Sequence, residues 1–156
     1  MKRTYECIAR RMGVMMLQAL FVVTVAAQTD YDMRYTVAFD TLGHYLNVQL
    51  DYQQNSQVNE LVLNMPRWTP GYYEMLNFPK HLCDFVAEDV QGKPLSWKKD
   101  GMNRWRISLP VDGKAHVSYR VYANQRDVAS SRVEGNLAFV APAGVFMYVD
   151  GQTVHP

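Results

Sequence analysis

From residue 31 onward, apolar and polar side chains alternate. Met33, Tyr35, Val37 and Phe39 are interleaved with Arg34, Thr36 and Ala38. Period two over such a run places one face of a strand against a core and leaves the other in water. Leu46, Val48, Leu50 and Tyr52 repeat the pattern against Asn47, Gln49 and Asp51. A third run, Leu61, Leu63 and Met65, stops at Pro66, which has no N–H to give to a ladder. Leu82 to Asp89 reads as a strand, and so do Leu95 with Trp97, Trp105 with Ile107 and Leu109, and His116 to Ala123. Ala138 to Val140 and Val145 to Val149 are two shorter candidates.

Turn residues sit between these runs. Gly43 lies between the first two, Gln91-Gly92-Lys93-Pro94 precedes Leu95, and Asp112-Gly113 precedes His116. Asp100-Gly101 is the clearest hairpin signal, because glycine adopts positive φ at no steric cost. The spacing allows Trp97 and Trp105 to face each other across it as cross-strand neighbours. No sustained helical period occurs between residues 31 and 156; the best helical candidate is one turn over Glu74 to Lys80, cut by Pro79. Seven to nine short strands with regular turn signals predict an all-β fold, an antiparallel β-sandwich, with a closed barrel as the alternative.

The first 27 residues obey another rule. Lys2, Arg3, Arg10 and Arg11 precede the uncharged run Gly13–Val25, and Ala26-Ala27 comes next. A basic start, a short apolar stretch and small residues at a cleavage point make a secretory signal peptide. Thirteen residues of helix reach only about 20 Å, short of a ~30 Å hydrocarbon core. An uncleaved anchor is the other reading. Cleavage before Gln28 predicts a domain over 28–156, a periplasmic or secreted location, and no membrane attachment of the mature chain. It removes four bases and one acid from totals of 16 and 15, leaving 12 against 14. A chain so balanced, with no basic block, is no electrostatic nucleic-acid binder.

Cleavage also removes Cys7 and leaves Cys83 alone. A lone cysteine is read first as a small buried hydrophobe. His81 lies two residues away, on the same face if both are on a strand, so a nucleophile–base pair is a minor alternative. Neither H-E-x-x-H, G-x-S-x-G, a glycine-rich phosphate loop nor a calcium loop occurs. His44, His81, His116 and His155 are scattered. The chain therefore offers no catalytic and no metal-binding residue. What it offers is a loop, Met65-Pro66-Arg67-Trp68-Thr69-Pro70-Gly71-Tyr72-Tyr73-Glu74-Met75. Two prolines and a glycine stiffen it, and Trp68, Tyr72 and Tyr73 give it contact area at little entropic cost. Trp68, Thr69, Pro70, Gly71, Tyr72 and Tyr73 are the candidate site, an interdomain or substrate-side loop. The competing reading has Trp68 folding back to plug one end of the sandwich.

The loop and the residues beyond it resemble a known family. Pro66-Arg67-Trp68-Thr69-Pro70-Gly71-Tyr72-Tyr73, Asn77-Phe78, His81-Leu82, Asp84-Phe85 and Gly92-Lys93-Pro94-Leu95 occur in order. Asn103-Arg104-Trp105, Tyr119-Arg120-Val121-Tyr122-Ala123 and Val145-Phe146-Met147-Tyr148-Val149 complete the series. Together, over about Tyr31 to Pro156, they resemble the N-terminal domain of the glycyl aminopeptidase family of zinc metallopeptidases, metallopeptidase family sixty-one. The resemblance implies a secreted modular enzyme: this β-sandwich, then a thermolysin-like domain holding zinc, then usually a PDZ domain. It implies an aminopeptidase preferring N-terminal Gly or Ala. No zinc motif precedes Pro156, so the chain is expected to be a fragment with no cofactor of its own. Zinc would belong to the catalytic domain, the missing partner through which the parent meets peptide substrate. The alternative is a stand-alone secreted β-sandwich that binds peptide, glycan or another protein.

Overall fold

The computed structural model describes residues 31–55 and 58–151. The expected signal peptide and the closing residues 152–156 lie outside the described residues. Ten strands form among the described residues: β1 (Tyr31–Asp40), β2 (Tyr45–Gln54), β3 (Glu60–Asn64), β4 (Leu82–Glu88), β5 (Trp97–Asp100), β6 (Arg104–Ser108), β7 (Lys114–Tyr122), β8 (Arg132–Glu134), β9 (Leu137–Phe139) and β10 (Tyr148–Val149). Two short 3₁₀ turns, η1 (Phe78–His81) and η2 (Pro142–Gly144), are the helical elements among the described residues.

The strands make two four-stranded antiparallel sheets, ordered β1-β2-β7-β4 and β10-β3-β6-β5, plus a separate β8–β9 hairpin. The fold is a β-sandwich. The sequence pattern explains the layering: Leu46, Val48 and Leu50 of β2 and Val117 and Tyr119 of β7 face Leu61 and Leu63 of β3 and Trp105 and Ile107 of β6, all buried. The alternate positions form outer faces of ion pairs. Arg106 holds Glu60 at 2.7 Å and Asp100 at 2.8 Å on one sheet, and Arg120 holds Asp84 at 2.6 Å on the other.

Phe85 joins the layers. The register of β4 against β7 slips between Cys83 and Val86, with Asp84 at φ 54°. One extra residue in β4 is a β-bulge, which re-aims the following side chain. Phe85 then stacks on Trp105 of the opposite sheet at 5.6 Å and on Tyr119 at 6.4 Å.

Five details differ from the sequence expectation. Trp97 and Trp105 are not opposite neighbours: Trp97 pairs with Ile107, and Lys99 pairs with Trp105. The turn spans Gly101 to Asn103, which sets the two tryptophans on a diagonal. They meet through Phe85, 4.7 Å from Trp97, and Trp97 is 40% exposed where Trp105 is 2%. Leu95 lies outside β5, its N–H given to the Ala87 carbonyl at 2.8 Å. The helical turn begins only at Phe78. Only Tyr148 and Val149 of the expected 145–149 strand are laddered, and β8 has no counterpart among the strands that the pattern predicts.

Two tyrosines of the first sheet secure the 145–149 segment instead. Tyr35 Oη donates to the Met147 carbonyl at 2.7 Å and Tyr119 Oη to the Val145 carbonyl at 2.7 Å. Burial pushes both phenols well above their ordinary range, and pushes Tyr52 up to about 12. The folded chain thus holds these protons more tightly than the unfolded one. Their contribution is complete below the free tyrosine value of 10.0 and is lost as pH rises beyond it. The melting temperature should be insensitive to these groups near neutrality and should fall above about pH 10. Tyr35→Phe should cost about 1 kcal/mol at pH 7 and reduce the alkaline fall. A Tyr35→Phe protein that loses stability with alkali as steeply as wild type would contradict this.

Candidate functional site

The site is a loop closed at both ends by backbone hydrogen bonds. At its start, Met65 N–H donates to the Asn103 carbonyl at 2.9 Å, and Asn103 Nδ2 donates to the Met65 carbonyl at 3.1 Å. The β5–β6 turn therefore fixes where the chain leaves β3. At its end, Asn77 N–H donates to the Arg67 carbonyl at 3.0 Å, closing residues 67–77 into a compact surface loop. Asn77 takes φ 52°, a left-handed conformation that asparagine tolerates, and turns the chain into η1. The buried ring of Phe78 packs on η2 so tightly that a Cβ on Gly144 would lie 2.8 Å from its Cδ1.

Within the loop, Thr69-Pro70-Gly71-Tyr72 is a type II turn. Proline presets φ at the second position, Gly71 takes φ 86° at the third, and Tyr72 N–H returns to the Thr69 carbonyl at 3.2 Å. Trp68 Nε1 donates to the Tyr72 carbonyl, which lays the indole across the turn. Trp68 is 45% exposed and Tyr73 fully so; Tyr72 is half-buried. Trp68 therefore does not plug the sandwich. The type II turn and the Arg67–Asn77 backbone bond brace the loop, two of its three aromatics face solvent, and Tyr72 lies partly covered.

The structure adds a second wall. Thr69, Pro70 and Tyr72 face Val128, Phe139 and Pro142 across an apolar groove of about 470 Å³. Val128 and Phe139 belong to the segment carrying β8 and β9. The strand expected at Ala138 to Val140 overlaps β9, but β8, three residues with no period, was missed, and with it the wall; Gly135, at φ 54° between them, was the available signal.

The remaining candidates separate. His81 ends η1 rather than lying on a strand, and its Nδ1 is 3.4 Å from Gln125 Nε2. Cys83 lies in β4 facing Arg120. Burial and then the Asp84 carboxylate push its thiol upward, the reverse of what a nucleophile needs. No nucleophile–base pair forms. His116 Nδ1 lies 2.8 Å from Asp51 Oδ1, in a charged hollow of about 760 Å³ with Glu88 and Lys114. That hollow sits at the end of β4 remote from η1. Among the described residues no group of three or more His, Cys, Asp or Glu is placed to hold a metal ion.

The described residues form a two-layer sandwich with a loop that exposes Trp68 and Tyr73. Comparison with known proteins gives its family. The Peptidase M61 N-terminal domain family matches residues 34–156, and the chain belongs to that family. A solved structure of an aminopeptidase N family protein from Idiomarina loihiensis is similar, at 31% identity and a TM-score of 0.71. The similarity covers 78% of this chain but 20% of that one, so the chain spans about a fifth of its structural relative. No curated protein matches.

Proposed function

We propose that this chain is the non-catalytic first domain of a secreted, glycyl-aminopeptidase-like zinc peptidase. In this reading it supports the catalytic domain, and residues 68–73 border the substrate cleft. One observation carries it: in a chain of the peptidase N-terminal domain family, a rigid loop presents Trp68 and Tyr73 to solvent. A braced loop that holds two aromatic rings in solvent is a surface suited to contact with a neighbouring domain or ligand. Peptide substrate and zinc belong to the catalytic domain in this proposal; the domain contributes position and surface.

The experiment joins residues 31–151 to the remainder of the Idiomarina protein, in place of that protein's own matching domain. The joined protein should hydrolyse Gly- and Ala-aminoacyl reporters in a zinc-dependent manner, and the mature chain alone should not. Metal-dependent hydrolysis by the purified chain alone would overturn the proposal.

Export is a separate expectation, from the basic, apolar, Ala-Ala order of residues 1–27. Expression with the full leader should give a soluble periplasmic product beginning at Gln28. Intact mass checks it, and a membrane-bound product retaining Met1 would contradict it.

A further inference from the structure

Exposed apolar side chains gather around the β8–β9 hairpin. Val128 is 86% exposed, Leu137 52% and Phe139 49%, and all three residues of β9 are exposed. Only Val133 of the hairpin enters the core. A two-stranded hairpin is marginal in water by itself, yet this one displays carbon outward and forms one wall of the groove whose other wall is Pro70 and Tyr72. The outer faces of the two sheets, where Val86 and Tyr122 are also exposed, are laced with ion pairs. They carry Asp84–Arg120 and Asp51–His116 on one and Glu60–Arg106–Asp100 on the other, which are pairs that suit water.

We infer that the groove between the 69–72 turn and the β8–β9 hairpin is the seat of the catalytic domain that comes next in the longer polypeptide, with Val128 and Phe139 as its apolar contacts. This rests on the proposed function and adds a surface to it. The partner is argued from length and chemistry. In the Idiomarina protein the chain outside the matched region is four times as long as the matched region itself. A neighbouring domain in one chain covers on the order of 600–1,500 Å². Such a contact has an apolar centre and a polar rim. The groove supplies the centre; the Arg132–Glu134 ion pair, with Arg126 and Asp127 in the adjoining hollow, supplies the rim.

Hydrogen exchange tests this without reference to catalysis. The full chain is compared with the joined protein. Amides over residues 128–143 should exchange at least about tenfold more slowly in the joined protein, while those around Leu42 in the β1–β2 turn stay unchanged. Phe139→Asp, an exposed change that spares the core, should abolish the added protection. If another face gains protection while 128–143 does not, the seat is wrong and the domain reading stands. If no face gains protection, both fail. Should the joined protein not fold, the same comparison between the Idiomarina protein and its own excised first domain decides, with the counterpart hairpin expected to be protected only in the whole protein.

Discussion

Trp105→Ala should destabilise the domain by about 3–5 kcal/mol. The indole is 2% exposed, stacks on Phe85 across the two layers and lies under Lys99, whose Nζ is 4.9 Å from the ring. Its removal deletes the largest buried side chain and opens a cavity where the sheets meet. A domain of this size is commonly stable by about 5–15 kcal/mol, so a large share of the molecules could be unfolded at ambient temperature. Trp97→Ala should cost less, about 1–2 kcal/mol, because its ring lies on an edge strand and is already partly in water. Denaturant melts of the two variants, side by side, check both the size of the effect and its order. Equal losses would contradict the asymmetry.

The second large effect is on turnover rather than stability. Trp68→Ala and Tyr73→Ala remove rings that face solvent in this domain, so each should change stability by no more than about 1 kcal/mol. In the joined protein the same changes should lower hydrolysis, on the order of a hundredfold if they misplace the neighbouring cleft by about 1 Å. Tyr72→Ala is expected to be intermediate: its ring is half-buried, while its backbone carbonyl, which Trp68 uses, survives the change.

The two sheets were legible because each strand keeps one face in water. Arg34, Gln49 and Arg106 hold polar positions between apolar ones, and a one-residue slip would bury those polar groups. The loop was legible for a different reason. Pro70 and Gly71 each demand a particular backbone conformation, and together they prescribe the turn that forms. What stayed hidden was register and assembly. Asp100-Gly101 announced a hairpin, but the third turn residue, Asn103, which is tied to Met65, shifted the pairing and put the tryptophans on a diagonal. The bulge at Asp84 left no mark, since Asp84-Phe85-Val86 carries no glycine. The groove needed residues 69–72 and 128–143 brought together, and nothing local in either segment refers to the other.

The most direct measurement pairs melting with turnover for Trp68→Ala and Tyr73→Ala in the joined protein, with activity expressed per folded molecule. The account predicts melting close to wild type and hydrolysis reduced by one to two orders of magnitude, about a hundredfold at most. A sharp fall in melting with normal activity in the surviving folded fraction would make the loop part of the core and contradict its assignment as the working surface of the domain.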